Sequence, residues 1–183
     1  MATGFDWDSL AVPGGAPAQL PTSPYDEIAT NVATELDLDP ALVRAMMFRE
    51  SAGDPNALSP KGAGGLMQLM PETAAELGVQ DVYNPEQNIR GGAQYYQQLQ
   101  DQFGGERWKA LAAYNAGPGR MREWEAQGIT DPSQIPYPET RDYVSNVQGA
   151  YDQFRTPSQP VPMPGSPALA PPPIDPTDRK SVV

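Results

Sequence analysis

Glu50 closes an apolar run, Ala41-Leu42-Val43-Arg44-Ala45-Met46-Met47-Phe48-Arg49. Ser51 and the turn-rich Ala52-Gly53-Asp54-Pro55-Asn56 follow at once. A carboxyl group at the end of a greasy helix, facing a loop, is well placed to keep its proton near neutral pH. Desolvation disfavours the charged form and raises the pKa, which is what a general acid requires. The chain contains no His and no Cys. Imidazole and thiolate chemistry are therefore absent, and zinc binding by the usual ligands is not expected. Any acid–base work falls to a carboxylate.

Three other clusters carry polar groups in unusual surroundings, and each has a plainer reading beside it. Ser51 either bonds the neighbouring carboxylate or caps a helix end. In Gly64-Gly65-Leu66-Met67-Gln68-Leu69-Met70-Pro71 the paired glycines permit close backbone approach, and Gln68 places an amide among apolar neighbours. Spacing alone makes Met67, Leu69 and Met70 core residues, whereas a buried amide at Gln68 must find partners. Tyr114-Asn115 precedes Ala116-Gly117-Pro118-Gly119. Such a pair suits an amide-bearing sugar, and it equally suits a helix C-terminus. Glu139 sits in a first turn, where acids favour the helix dipole. Tyr143, four residues on, shares its face and points to the same side.

The elements that must position these groups read as helices. Ser23-Pro24-Tyr25-Asp26 is a helix start, with Tyr25, Ile28, Ala29, Val32 and Leu36 on one face. Asp39-Pro40 opens a second helix, whose wide apolar surface predicts burial on more than one side. Residues 52–65, crowded with Gly and Pro, form a loop. Pro71 to Leu77 is a short helix stopped by Gly78. Asn84-Pro85 opens a helix with Ile89, Ala93, Tyr96, Leu99 and Phe103 on one stripe, ended by Gly104-Gly105. Trp108 to Asn115 is a helix ending at Gly117-Pro118-Gly119. A last helix from about Glu139 presents Val144, Val147, Tyr151 and Phe154. No strand-period segment and no internal repeat is present. The expected class is all-α, with about seven helices in one lobe.

Composition sets the boundaries. Thirteen of the 22 prolines among the 183 residues lie in segments 1–24 and 156–183, so the middle is the part able to fold. The expected organisation is a flexible N-terminal segment over 1–23, a domain over 24–155, and a Pro-rich extended or disordered tail over 156–183. The net charge of −11 and pI of about 4.3 argue against nucleic-acid binding. No stretch has the length and apolarity of a membrane span. Met1 to Asp8 lack the basic and apolar regions of a secretory signal peptide.

Five of these pieces, in order, resemble one family. They are Glu50-Ser51; the series from Pro55-Asn56-Ala57 through Ser59-Pro60, Gly62-Ala63 and Gly65-Leu66-Met67-Gln68-Leu69-Met70-Pro71; Asn84-Pro85 with Gln87-Asn88-Ile89 and Gly91-Gly92; Ala113-Tyr114-Asn115-Ala116-Gly117-Pro118-Gly119; and Pro138-Glu139-Thr140-Arg141 with Tyr143-Val144. Together they resemble the soluble lytic transglycosylases over about residues 25–155. The departure is Ala52-Gly53 after Ser51, where relatives often carry another small residue or an aromatic.

The resemblance implies a lysozyme-like, all-helical catalytic domain. It implies cleavage of the bond between N-acetylmuramic acid and N-acetylglucosamine in peptidoglycan, with an anhydro-muramic product and no cofactor or metal. Glu50 matches the catalytic acid. Ser51 would steady Glu50 or the sugar's acetamide, Met67 and Gln68 would line the cleft, Tyr114 and Asn115 would contact sugars, and Tyr143 would bond or pack near Glu50. Glu139 would orient rather than react. The neighbouring alternatives are a hydrolytic muramidase on the same fold and a glycan-binding component that does not cut. The lack of a signal peptide, with Pro-rich tails able to dock protein partners, leads to the expectation of an enzyme carried by a virion or secretion machine to the periplasm or cell wall.

Overall fold

The helix bearing Glu50 shows how the chain is organised. The Asp39 carboxylate accepts a hydrogen bond from the Ala41 backbone N–H at 3.0 Å, and Pro40 occupies the first helical position. Such a cap contributes about 1 kcal/mol. The helix, α2, runs Pro40–Ser51 and buries Ala41, Leu42, Val43, Ala45, Met46, Met47 and Phe48. A helix apolar on nearly all sides must be enclosed. It is enclosed by α1 (Asp26–Glu35) and by α7 (Pro138–Arg155), as its wide apolar surface predicts. This computed structural model describes residues 22–155.

The remaining helices form the rest of the wall. They are α3 (Pro71–Glu76), α4 (Pro85–Gln102), α5 (Arg107–Ala116) and α6 (Pro118–Ala126), with a 3-10 turn at Pro132–Gln134 before α7. Helix α4 packs on α1 and α5, and α5 packs on α6 and α7. The stripe Ile89, Ala93, Tyr96, Leu99 and Phe103 is buried throughout. Asn84 caps α4 by accepting from the Gln87 N–H at 3.1 Å. The described residues contain no strand; Gly64 makes isolated bridges to Leu58 and Leu69 within the loop. The class is all-α, as expected.

Two local readings change. At the first helix, Ser23 and Asp26 do bond reciprocally: the Ser23 N–H donates to Asp26 Oδ2 (3.1 Å) and the Asp26 N–H to Ser23 O (3.1 Å), while Ser23 Oγ accepts from the Tyr25 N–H (3.2 Å). The pair closes a turn, and the helix proper begins at Asp26. The second change is larger. The fifth helix does end at Gly117-Pro118-Gly119, but a further helix that was not expected follows at once. Gly117 alone makes the break, with φ +88°, and Pro118 opens α6, which buries Met121 and Trp124.

Helix α7 runs antiparallel to α2 and fastens its start: the Tyr151 hydroxyl donates to Asp39 Oδ2 at 2.9 Å. No helix among the described residues is long and apolar enough to cross a membrane. The expectations for the two ends of the chain fall on 1–21 and 156–183, outside the described residues.

Candidate active site

Glu50 occupies the last turn of α2, and the chain leaves that turn through Ala52 in the left-handed region, φ +53°. A non-glycine residue there is strained by about 1–2 kcal/mol. Directly across, Tyr143 of α7 is buried, and its hydroxyl donates to Glu50 Oε1 at 2.7 Å. Glu50 is partly buried and keeps some access to solvent. Its surroundings are nonetheless dense enough that desolvation raises its pKa from 4.5 to about 7, against the opposing effects of the Tyr143 hydrogen bond and the Arg49 charge. Burial outweighs both. The result is an acid close to half-protonated at neutral pH, the condition in which one group can both give and take a proton. Burial and the neighbouring Glu50 hold the Tyr143 phenol well above its usual pKa, so it stays a donor.

The loop between α2 and α3 is held by α4. Asn88 is fully buried; its Nδ2 donates to Gly64 O (3.0 Å) and Val82 O (2.9 Å), and its Oδ1 accepts from the Met67 N–H (2.6 Å). Gly65, at φ +79°, passes so close that a Cβ would collide with Val82 O and the Asn88 amide. At Gly92 a Cβ would lie 2.5 Å from the Met67 Cβ. Glycine inside a helix costs about 1 kcal/mol; here it admits the loop against α4.

Gln68 follows, also in the left-handed region at φ +47°. Its Nε2 donates to Ala57 O (3.1 Å) and Gly65 O (2.9 Å). Those bonds hold a backbone conformation the residue would otherwise avoid. Tyr114 of α5 ties the loop from the other side, its hydroxyl donating to Met67 O at 2.8 Å. Burial first, and then Glu50, keep the Tyr114 phenol protonated.

A cavity of about 320 Å³ opens beside this loop, lined by Gln68, Met70, Tyr95, Tyr114, Asn115 and Lys61 among others. Tyr114 connects it to Glu50, because it lines the cavity and also senses the Glu50 charge. The Tyr95 and Tyr114 rings meet at 5.4 Å with a 49° tilt. Asn115 is exposed at the rim, and its Oδ1 accepts from the buried Thr140 hydroxyl at 2.8 Å.

The structure therefore brings Gln68, Tyr114 and Asn115 to the cavity wall and pairs Tyr143 with Glu50, with Tyr114 the link between the two groups. Three residues sit differently from what the resemblance implies. Ser51 is buried and bonds backbone on both sides, donating to Met47 O (3.2 Å) and accepting from the Gly53 N–H (3.2 Å). It secures the helix end, the plainer of its two readings. The Met67 side chain has no solvent access and packs over Gly92, so only its backbone serves the site. Glu139 is exposed in the first turn of α7, and the contact with Glu50 is made one turn later by Tyr143.

Sequence reasoning missed Asn88, Tyr95 and Thr140. Asn88 had a signal, a polar side chain next to Ile89 on a buried stripe. Thr140 stood inside a motif of the resemblance with no role given to it, and Tyr95 had only its place beside Tyr96 of the buried stripe.

Residues 27–134 match the family model described as the transglycosylase SLT domain. The chain is 38% identical over 146 residues to a soluble lytic murein transglycosylase of Salmonella typhimurium, covering 71% of this chain and 22% of that protein. It is 41% identical over 103 residues to a transglycosylase of Enterobacteria phage PRD1, covering 56% of this chain and 38% of the other. Among solved structures, the 70 kDa soluble lytic transglycosylase of Escherichia coli superposes with a TM-score of 0.65 at 35% identity, over 72% of this chain and 24% of that one. The fold is thus the lysozyme-like helical one. The chain spans about a quarter of the length of the bacterial relatives it matches.

Proposed function

The chain belongs to the transglycosylase SLT domain family, and from that premise we propose that it is a peptidoglycan lytic transglycosylase with Glu50 as its single acid–base group. The observation that carries this reading is the Glu50 carboxyl itself: partly buried, with a pKa near 7 and a phenol on one oxygen.

The chemistry follows from that geometry. Tyr143 occupies Oε1 of Glu50 as a donor, so the mobile proton sits on Oε2. Glu50 gives it to the glycosidic oxygen leaving the muramic acid C1, and the C1–O bond breaks. The acetamido oxygen of the same sugar stabilises the positive C1. Glu50, now a carboxylate and still bonded by Tyr143, takes the proton of the sugar's C6 hydroxyl. O6 closes on C1, giving the 1,6-anhydro ring and a reprotonated Glu50. No water is consumed and no second carboxylate is needed, in keeping with the substrate-assisted exceptions among glycosidases.

The catalytic domain is assigned to 24–155 and the glycan strand to the cavity wall of Gln68, Tyr95, Tyr114 and Asn115. The 41% identity to a phage transglycosylase supports delivery to the cell wall by a virion, with 156–183 as the segment docking a protein partner. Detection of the chain in purified particles, lost on deleting 156–183, tests that assignment. Digestion of purified sacculi followed by mass spectrometry tests the reaction. Anhydro-muramic ends are expected; reducing ends would make the enzyme a hydrolase, and undigested sacculi would leave only glycan binding.

A further inference from the structure

Arg49 and Glu50 are neighbours in the last turn of α2. Successive residues on a helix point to different sides and do not face each other. Here one side chain from another helix spans the gap. The Tyr143 hydroxyl donates to Glu50 Oε1 at 2.7 Å, and the Arg49 guanidinium carbon lies 5.6 Å from the centre of the same Tyr143 ring. That separation is within the reach of a cation–π contact, about 6 Å. Tyr143 is 2% exposed, so its ring has a fixed place. Arg49 is partly buried, and its Nε is fully so.

The ionisable groups that act on Glu50 come from three helices: Arg49 on α2, Tyr143 on α7 and Tyr114 on α5. The other charges on the packed helices are engaged or turned to solvent. On α1, Asp26 pairs with Arg44, Glu35 pairs with Arg90, and Glu27 is exposed. Beside Tyr143 on α7, Glu139 and Asp142 are exposed and Arg141 donates to Ile135 O. Among the described residues, Arg49 is thus the cation that acts on the acid.

Burial makes an acid keep its proton, but a general acid must also give it up. Desolvation acts against the carboxylate; a phenol bond and a nearby positive charge act for it. A guanidinium is a permanent charge on a planar fork that stacks on aromatic faces, so one residue can serve both the ring and the carboxylate.

We propose that Arg49 is a positioning residue for the reaction: its guanidinium seats the Tyr143 ring that presents a hydroxyl to Glu50, and its charge steadies the carboxylate formed when the proton departs. The inference rests on the glycan-cleaving reading above and adds a residue to it.

Titration of Glu50 tests it apart from cleavage. The full chain is labelled with carbon-13 at the glutamate side-chain carboxyls, and the Glu50 signal is the one lost in Glu50→Gln. Arg49→Met keeps an unbranched stem and removes the charge, and the Glu50 midpoint is expected to rise by roughly half to one pH unit. Arg49→Lys keeps the charge without the planar stack and returns most of that rise. Tyr143→Phe keeps the ring and loses the hydroxyl. In that chain Arg49→Met moves the midpoint by less, because a seated ring no longer presents a bond. On sacculi, Arg49→Met lowers kcat roughly three- to tenfold with KM within about twofold, and the alkaline limb of the pH–rate profile rises with the midpoint. A midpoint unmoved in Arg49→Met, one moved equally by Arg49→Lys, or a raised KM with kcat unchanged overturns the proposal. Equal movement with and without the Tyr143 hydroxyl overturns the seating of the ring. Should the methionine variant not fold, Arg49→Gln carries the same expectations. Sacculi left uncut by the unaltered chain would refute the reaction, and the titrations would still decide what Arg49 does at Glu50.

Discussion

The Tyr143 hydroxyl lies 2.7 Å from Glu50 Oε1, on a helix that packs along the one carrying the acid. The bond serves two states differently. It stabilises the carboxylate and so lowers the pKa, yet burial overrides it and leaves the acid near 7. It also occupies one oxygen, which directs the exchangeable proton to the other.

Glu50→Gln keeps the shape and removes the proton. Cleavage of sacculi is expected to fall by about a hundred- to ten-thousand-fold, with the circular dichroism spectrum and oligosaccharide binding retained. Activity near that of the unaltered chain would take Glu50 out of the mechanism.

Tyr143→Phe removes the donor that favours the charged form, so the Glu50 pKa rises further above 7. Because the first step needs the protonated acid, the fall in rate with rising pH should move to higher pH. The maximal rate should drop modestly, since the carboxylate left after proton transfer loses its bond. A pH–rate profile measured on both chains checks the direction; a limb displaced toward acid would contradict it.

The same carboxyl makes folding depend on pH. Its folded pKa of about 7 lies above the 4.5 of the free group, so the folded state binds the proton more tightly. Its contribution to stability is full below about pH 4.5 and is lost as pH rises through 7. A displacement of this size corresponds to roughly 3 kcal/mol. Urea melts at pH 5 and pH 8 should therefore show the unaltered chain losing up to about 3 kcal/mol more than Glu50→Gln, which has nothing to ionise there. Parallel behaviour of the two would count against a buried acid.

Asn88→Ala leaves the Met67 N–H and the Gly64 and Val82 carbonyls without their partner. Unmade buried bonds of this kind destabilise by roughly 2–4 kcal/mol. Because Met67 O also receives Tyr114, kcat should fall even well below the melting temperature. A loss of stability with unchanged turnover would confine Asn88 to the scaffold.

Much of the scaffold was legible because it follows from local chemistry. The Asp39-Pro40 and Asn84-Pro85 starts show as a capping side chain followed by a proline, and the structure places both caps there. The wide apolar surface of α2 announced its enclosure. Helix α6 was missed because Gly-Pro-Gly looks like a stop, whereas a proline just after a break is also the preferred first residue of a new helix. Met121 and Trp124, three apart, were the available clue.

The site was legible in part for a similar reason. Glu50 is marked by what precedes it in the chain. Asn88, Tyr95 and Thr140 matter chiefly through distant partners, Met67, Tyr114 and Asn115 respectively, and Thr140 meets Asn115 only because α5 and α7 pack together. Spacing carries no record of such meetings. It likewise suggested Glu139 and Tyr143 as a pair on one face, and only packing separates the exposed acid from the buried phenol.

Helix α7 grips α2 at both ends, through Tyr151 at Asp39 and Tyr143 at Glu50, and it is the last helix of the lobe to leave the ribosome. A nascent chain that has already displayed its acid still lacks the phenol that holds it. A chain that stops before α7 lacks both contacts, and such a fragment is expected to be inactive in the sacculus assay rather than merely weakened.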